Sequence, residues 1–103
     1  MPRPYSTEFV MKLNKADPSR LGVKLGKLCV EANLPASYVA VALESSRMAV
    51  HGWFRGKDIR KSKHGLIEVF MDLVRRDMDQ GRLPAKNYID AKSYIEDMLG
   101  IRI

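Results

Sequence analysis

The sequence lacks the residue patterns that catalysis, metal binding or a membrane span would require. It has 1 cysteine and 2 histidines, which excludes an intramolecular disulfide framework and leaves too few ligands for a zinc site. No apolar run approaches the roughly 18 residues of a membrane span, and residues 1–9 contain no continuous apolar segment of the secretory-signal type. Glycine-rich phosphate loops, nucleophile elbows and paired carboxylates are also missing. We therefore expect a cytoplasmic protein that is not an enzyme and needs no cofactor or metal.

Positive charge is abundant, and it is concentrated in one part of the chain. The formal net charge is +6. Residues 1–63 contain 12 Lys and Arg against 5 acidic residues, whereas residues 64–103 contain 6 against 7. A basic half of this kind indicates an anionic partner, in the first place a nucleic acid. An ordinary solvated surface is the alternative, above all for the charge run of residues 57–63.

Apolar residues recur at intervals of three and four along most of the chain, which predicts an all-α fold of about five helices. Residues 1–16 show no clear period, so a strand, a helical turn and a segment lying across the core all stay open there. Prolines and capping side chains mark several helix starts. We expect starts at Asp17-Pro18, Pro35 and Ser46, a strongly apolar helix over roughly 64–80, and a final helix over about 85–99 that ends at Gly100.

The helix over 64–80 has an unusually broad apolar stripe. It contains Ile67, Phe70, Met71, Val74 and Met78 at helical spacing. A stripe of this width exceeds what one small core needs, so part of it should meet another surface. We expect residues 66–78 and 88–99 to provide a homodimer interface.

The sequence predicts two short helices joined by a tight polar turn over residues 33–56. The residues that form this pattern are Leu34, Val39-Ala40, Leu43, Ser46-Arg47, Val50, Trp53 and Arg55-Gly56. Without a gap, the run resembles the helix-turn-helix of Cro/cI-type repressors, also called the XRE family, and the helices on either side extend the resemblance to roughly residues 18–75. The resemblance implies a lambda-repressor-like core over 17–80, an N-terminal extension over 1–16 and an additional C-terminal helix over 81–103.

The resemblance implies a function and a set of contacts. The function is that of a transcriptional regulator of bacterial or phage type, a DNA-binding homodimer on an inverted repeat. Its recognition helix, Arg47 to about Phe54, would enter the major groove of double-stranded DNA. Base contacts would come from Arg47, Met48 and His51, and phosphate contacts from Ser46, Arg55, Lys57, Arg60, Lys61 and Lys63.

Three positions depart from the family pattern. Glu44 stands where glycine is usual, and it would have to adopt a left-handed backbone at a cost of about 1 kcal/mol. Ser45 replaces an apolar residue, and Gly52 stands where a base-contacting side chain is common. These departures keep two alternatives open: a protein-interaction adaptor on the same scaffold, of a phage host-takeover or antitoxin-like kind, and a non-specific nucleic-acid binder that uses the basic half alone.

Overall fold

The computed structural model describes residues 5–103, and over this range the chain forms helices and no strand. The all-α prediction is confirmed, with six helices in place of about five. Within the same range no helix is long and apolar enough to cross a membrane. The helices are α1 Thr7–Lys15, α2 Leu21–Glu31, α3 Ala36–Ala42, α4 Arg47–Phe54, α5 Lys61–Asp79 and α6 Tyr88–Leu99.

The additional helix is α1, in the segment where the sequence left three alternatives open. Ser6 caps it, and its hydroxyl accepts a hydrogen bond from the Phe9 amide at 3.1 Å. Leu13 is buried, and the Tyr5 hydroxyl donates to the Leu34 carbonyl at 2.6 Å. Burial raises the pKa of the Tyr5 phenol, so the phenol stays protonated and keeps this bond. From Tyr5 onward the predicted extension is therefore part of the core.

Three predicted helix starts were wrong by three residues, and a side chain explains the two that lie later in the chain than expected. The Asp17 carboxylate accepts from the Ser19 amide at 2.9 Å and from the Ser19 hydroxyl at 2.7 Å, which holds a separate turn in front of α2. Asn87 accepts from the Asp90 amide at 2.8 Å and so caps α6 at Tyr88 rather than at residue 85. The long helix α5 begins at Lys61 and so includes the last part of the predicted connector.

Helix α2 lies at the centre of the fold, where it packs against α1, α4 and α5, and α6 packs against α3. Its approach to α4 requires a glycine: a Cβ on Gly22 would lie 2.2 Å from the Trp53 carbonyl oxygen. The largest fully buried side chains join all the helices after α1. They are Val23, Leu25, Leu34, Val39, Leu43, Val50, Phe54, Ile67, Val74, Leu83 and Ile95, with Cys29 among them.

The broad stripe of α5 is mostly used inside this one chain. Ile67, Phe70, Met71 and Val74 are all buried. Of the apolar residues of α5, only Val69 counts among the exposed large ones, at 57 %. The expected surplus of apolar surface is therefore small, because the stripe belongs to the one core cluster, in which α5 packs against α2.

Candidate nucleic-acid interface

A four-residue turn holds α3 and α4 at a fixed angle. Glu44 adopts the left-handed conformation with φ 52°, as the sequence predicts. The Ser45 amide then donates to the Ala40 carbonyl at 3.0 Å, and the Ser46 hydroxyl accepts from the Ala49 amide at 3.0 Å. The second contact confirms Ser46 as the N-cap of α4. The turn is thus fixed by local backbone and side-chain bonds despite the absence of glycine.

Lys63 closes this turn from α5. Its ammonium donates to the carbonyl oxygens of Leu43 and Glu44 at 3.1 and 3.0 Å. These carbonyls follow the end of α3, where a cation is stabilising. The family resemblance implies a phosphate contact for Lys63, but in the structure its ammonium already donates to two backbone carbonyl oxygens. No signal in the sequence pairs Lys63 with a turn about twenty residues earlier.

The inner face of α4 is fixed by Val50 and Phe54. The spacing of Val50 and Trp53, three residues apart, predicts two inward anchors. Val50 is fully buried, and Phe54 is 1 % exposed. Trp53 is only partly buried, and its backbone lies where α2 approaches most closely, at Gly22.

The outer face of α4 carries Arg47, Met48 and Arg55, which are exposed. Met48 is the most open large apolar residue among residues 5–103, at 82 %. Gly52 was expected on this face, but it is buried under Lys57: a Cβ at Gly52 would lie 3.1 Å from Lys57 Cδ. We call Arg47, Met48, His51 and Arg55 the α4 face.

His51 is the least open member of the α4 face. Its ring packs edge-on against Phe9 and Phe54, with centroids 6.0 and 6.2 Å away. Burial lowers the pKa of His51, and the charges of Arg47 and Arg55 lower it further. At neutral pH the imidazole is therefore uncharged, and it would meet a partner as a hydrogen-bonding group rather than as a cation.

Four cations follow the C-terminal end of α4 in the chain, namely Arg55, Lys57, Arg60 and Lys61, and all four are exposed. We call this group the basic rim. The nearest acid of the connector, Asp58, is paired with Arg20, so its charge is offset by a residue outside the group. The Arg55 Nε donates to the His51 carbonyl at 3.3 Å, which orients this side chain at the end of the helix.

The position of Arg60 and Lys61 is unfavourable for the helix that they begin. Arg60 is the N-cap of α5, no side chain caps the helix, and its first turn contains no acid. Cations at a helix N-terminus oppose the helix dipole by about 0.3–1 kcal/mol each. Helix stability therefore does not explain them, whereas an anion bound at this point would.

Residues that could hold a metal do not come together. Among residues 5–103 no group of three or more His, Cys, Asp or Glu is close enough to bind an ion. Cys29 is fully buried in the core, where burial raises the pKa of its thiol. This thiol fills space between helices.

Comparisons with protein-family models, with curated proteins and with solved structures find no match to this chain. The resemblance to the XRE family therefore rests on residues 33–56 and their flanking helices, and membership stays a prediction.

Proposed function

We propose that the protein is a DNA-binding transcriptional regulator of bacterial or phage type that inserts α4 into the major groove. The observation that carries the proposal is the division of α4 into two faces. Val50 and Phe54 lock one face onto the core. The α4 face points to solvent, with Arg47 at one end of the helix and the basic rim at the other.

The dimensions of α4 suit this role. Eight residues of α-helix extend about 12 Å, and the major groove is about 12 Å wide. Cations at the two ends of α4 would therefore lie near the two phosphate strands that border the groove. Met48, between them, would face base edges, where an apolar side chain contacts the thymine methyl group. Direct base contacts from Arg47 and His51 are those that the family resemblance implies.

Affinity should depend strongly on salt, because each neutralised phosphate contributes a slope of about 0.9 in log K against log salt. We expect the basic rim to supply most of this slope. Lys63 should supply less, since two carbonyl oxygens hold its ammonium.

Specific binding by so short a helix generally requires two copies on an inverted repeat. Two exposed apolar side chains support self-association: Val69 on α5 at 57 % and Ile89 on α6 at 78 %. Sedimentation equilibrium of the free protein tests this part of the proposal, and a monomer at all concentrations would contradict it.

The deciding experiment is selection of bound duplexes from a random DNA pool, followed by sequencing. An enriched palindrome with half-sites about one helical turn apart would support a dimeric regulator. Binding without enrichment would indicate the charge-driven, non-specific alternative. Absence of binding at 50 mM salt would refute both.

A second candidate function is that of a protein-interaction adaptor, and the exposure of Met48 favours it. Methionine makes adaptable contacts at protein-binding surfaces, and Met48 is 82 % exposed on the α4 face. Replacement of Arg47 and Met48 by alanine separates the candidates. A specific regulator should lose its sequence preference, a non-specific binder should weaken slightly for every sequence, and an adaptor should show no change in DNA binding.

A further inference from the structure

A cavity of about 260 Å³ lies beside the N-terminal end of α4. Three helices provide its polar lining: Ser37 on α3, Arg47 and His51 on α4, and Tyr88 at the start of α6. We call it the Tyr88 cavity. The rest of its wall is formed by Tyr5, Pro35 and Ala36.

The lining has the chemistry of an anion site. Of the residues that the structure describes, Arg47 is the one charged side chain in the wall, and none of them places a carboxylate in the cavity. Among residues 5–103, Arg47 takes part in none of the ion pairs, so its guanidinium is not neutralised there. Ser37 and Tyr88 add hydroxyl groups that are open to solvent. A guanidinium with neutral hydroxyl donors is the usual set of contacts to a phosphate.

We propose that the Tyr88 cavity holds a backbone phosphodiester of the DNA strand that passes the N-terminal end of α4. Arg47, Ser37 and Tyr88 donate hydrogen bonds to its oxygens. This inference rests on the proposed function and deepens it in two respects. Arg47 contacts the backbone rather than a base, and α6 becomes part of the DNA interface.

The location of the cavity fits contacts to the two phosphate strands that border the major groove. Arg47, the first residue of α4, lines the Tyr88 cavity, and Arg55, the first member of the basic rim, follows the last residue of α4. A helix of eight residues, about 12 Å long, separates these two residues. Each border of the major groove would then meet its own set of donors. Met48 lies within the first turn of α4, exposed to the groove between them.

The test uses the full chain and a duplex of mixed sequence, about 21 base pairs long, because phosphate contacts do not depend on sequence. Tyr88→Phe and Ser37→Ala each remove one hydroxyl and keep the rest of the side chain in place. We expect each to bind about five- to tenfold more weakly at 50 mM salt. Ser93→Ala is the matched control, since it removes an exposed hydroxyl of α6 outside the cavity, and it should bind like the wild type.

Arg47→Ala supplies the second readout. A phosphate contact predicts an equal loss for every duplex and a salt slope smaller by about 0.9. A changed order of preference among duplexes would instead show a base contact and overturn the inference. Tyr88→Phe and Ser37→Ala variants that bind as tightly as the wild type would also overturn the inference, but they would leave the proposed function intact. A wild type that does not bind DNA at 50 mM salt would overturn both the inference and the proposed function, and this result needs no variant. Thermal melting by circular dichroism verifies that each variant is folded.

Discussion

Helices α4 and α6 begin in the same way and differ in their charges. Ser46 caps α4 and Asn87 caps α6, each through its side chain. Each helix exposes a large apolar residue at its second position, Met48 at 82 % and Ile89 at 78 %. The charged residues of the two helices differ: α4 contains no acid, whereas α6 contains Asp90, Glu96 and Asp97.

This contrast shows that exposure alone does not specify a partner. An apolar side chain among cations is compatible with an anionic surface such as DNA, whose phosphates the cations would neutralise. Ile89 lies outside this cationic surface, on a helix whose charges are mostly acidic, and an apolar side chain there suits a second protein surface. We therefore assign Met48 to the DNA side and Ile89 to self-association, as hypotheses that substitution can separate.

The largest effect should come from removing the inner anchor of α4. Phe54→Ala deletes a ring that is 1 % exposed, and we expect a loss of about 3–5 kcal/mol in the free energy of unfolding. Urea denaturation measures it. Met48→Ala on the outer face should change stability by less than about 0.5 kcal/mol. Similar losses for the two variants would mean that α4 does not present separate inner and outer faces.

Charge reversal in the basic rim should have the next largest effect. Arg60→Glu with Lys61→Glu replaces two exposed cations at the start of α5 by acids that favour its helix dipole. Stability should therefore rise slightly, while DNA affinity at 50 mM salt falls by about 100-fold and the salt slope decreases by about 1.8. Fluorescence anisotropy measures both quantities. The matched control, Lys92→Glu with Arg102→Glu, makes the same charge change on α6 and beyond it, and an equal loss there would indicate that only net charge matters.

Lys63 tests whether a cation near the rim has a structural role instead. Lys63→Met keeps the apolar stem and removes both bonds to the Leu43 and Glu44 carbonyls. We expect a loss of about 1–3 kcal/mol in the free energy of unfolding, with the salt slope of DNA binding almost unchanged. A slope smaller by about 0.9 at unaltered stability would instead assign Lys63 to a phosphate.

A crossed pair of substitutions sharpens the comparison of α4 with α6. Ile89→Lys should weaken self-association about tenfold, because it places a charge in an apolar contact, and sedimentation equilibrium would detect it. Met48→Lys should leave self-association unchanged and raise non-specific DNA affinity, since it adds a cation beside the groove. The reverse result, with Met48→Lys dissociating the dimer, would place the protein contact on α4.

The smallest effect concerns pH. The folded state holds the pKa of His51 below its ordinary value of 6.5, so below that pH the unfolded state binds more protons there than the folded state does. The His51 contribution to stability is present above about pH 6.5 and decreases as the pH falls through and below that value. His51→Gln should make the denaturation midpoint less dependent on pH between about 7 and 5. An unchanged dependence would mean that other groups cause it.

Much of the α3–turn–α4 unit was predictable because its determinants are local. The Ser46 cap, the left-handed Glu44 and the stop at Gly56, which has φ 100°, each depend on residues no more than four positions away. The helix α1 was not predictable in the same way, since the mixed composition of residues 1–16 gives no clear period. What fixes it is the contact of Tyr5 with Leu34, 29 residues later in the chain.

The candidate site was predictable in composition and less so in arrangement. The sequence placed Arg47, Met48 and His51 on an outer face; Arg47 and Met48 are exposed, and His51 is half-buried. It also placed Gly52 there, but the chain reversal after α4 folds Lys57 over it, with the Lys57 amide donating to the Gly52 carbonyl at 3.0 Å. The Tyr88 cavity had no signal at all, because Ser37, Arg47 and Tyr88 belong to three different helices.

The sequence by itself determined the helical class, the starts of α3 and α4, the end of α6 at Gly100 and the division of charge between the two halves of the chain. These properties follow from caps, turns and periodicity, which act over a few residues. The tertiary structure alone decided that the cations of the basic rim are exposed while Lys63 is hydrogen-bonded to the turn. It also decided how much of the α5 stripe is buried and that α6 begins beside α4. Those outcomes depend on how helices distant in sequence cross, and the close approach of Gly22 to Trp53 and the reach of Lys63 to the turn fix that crossing.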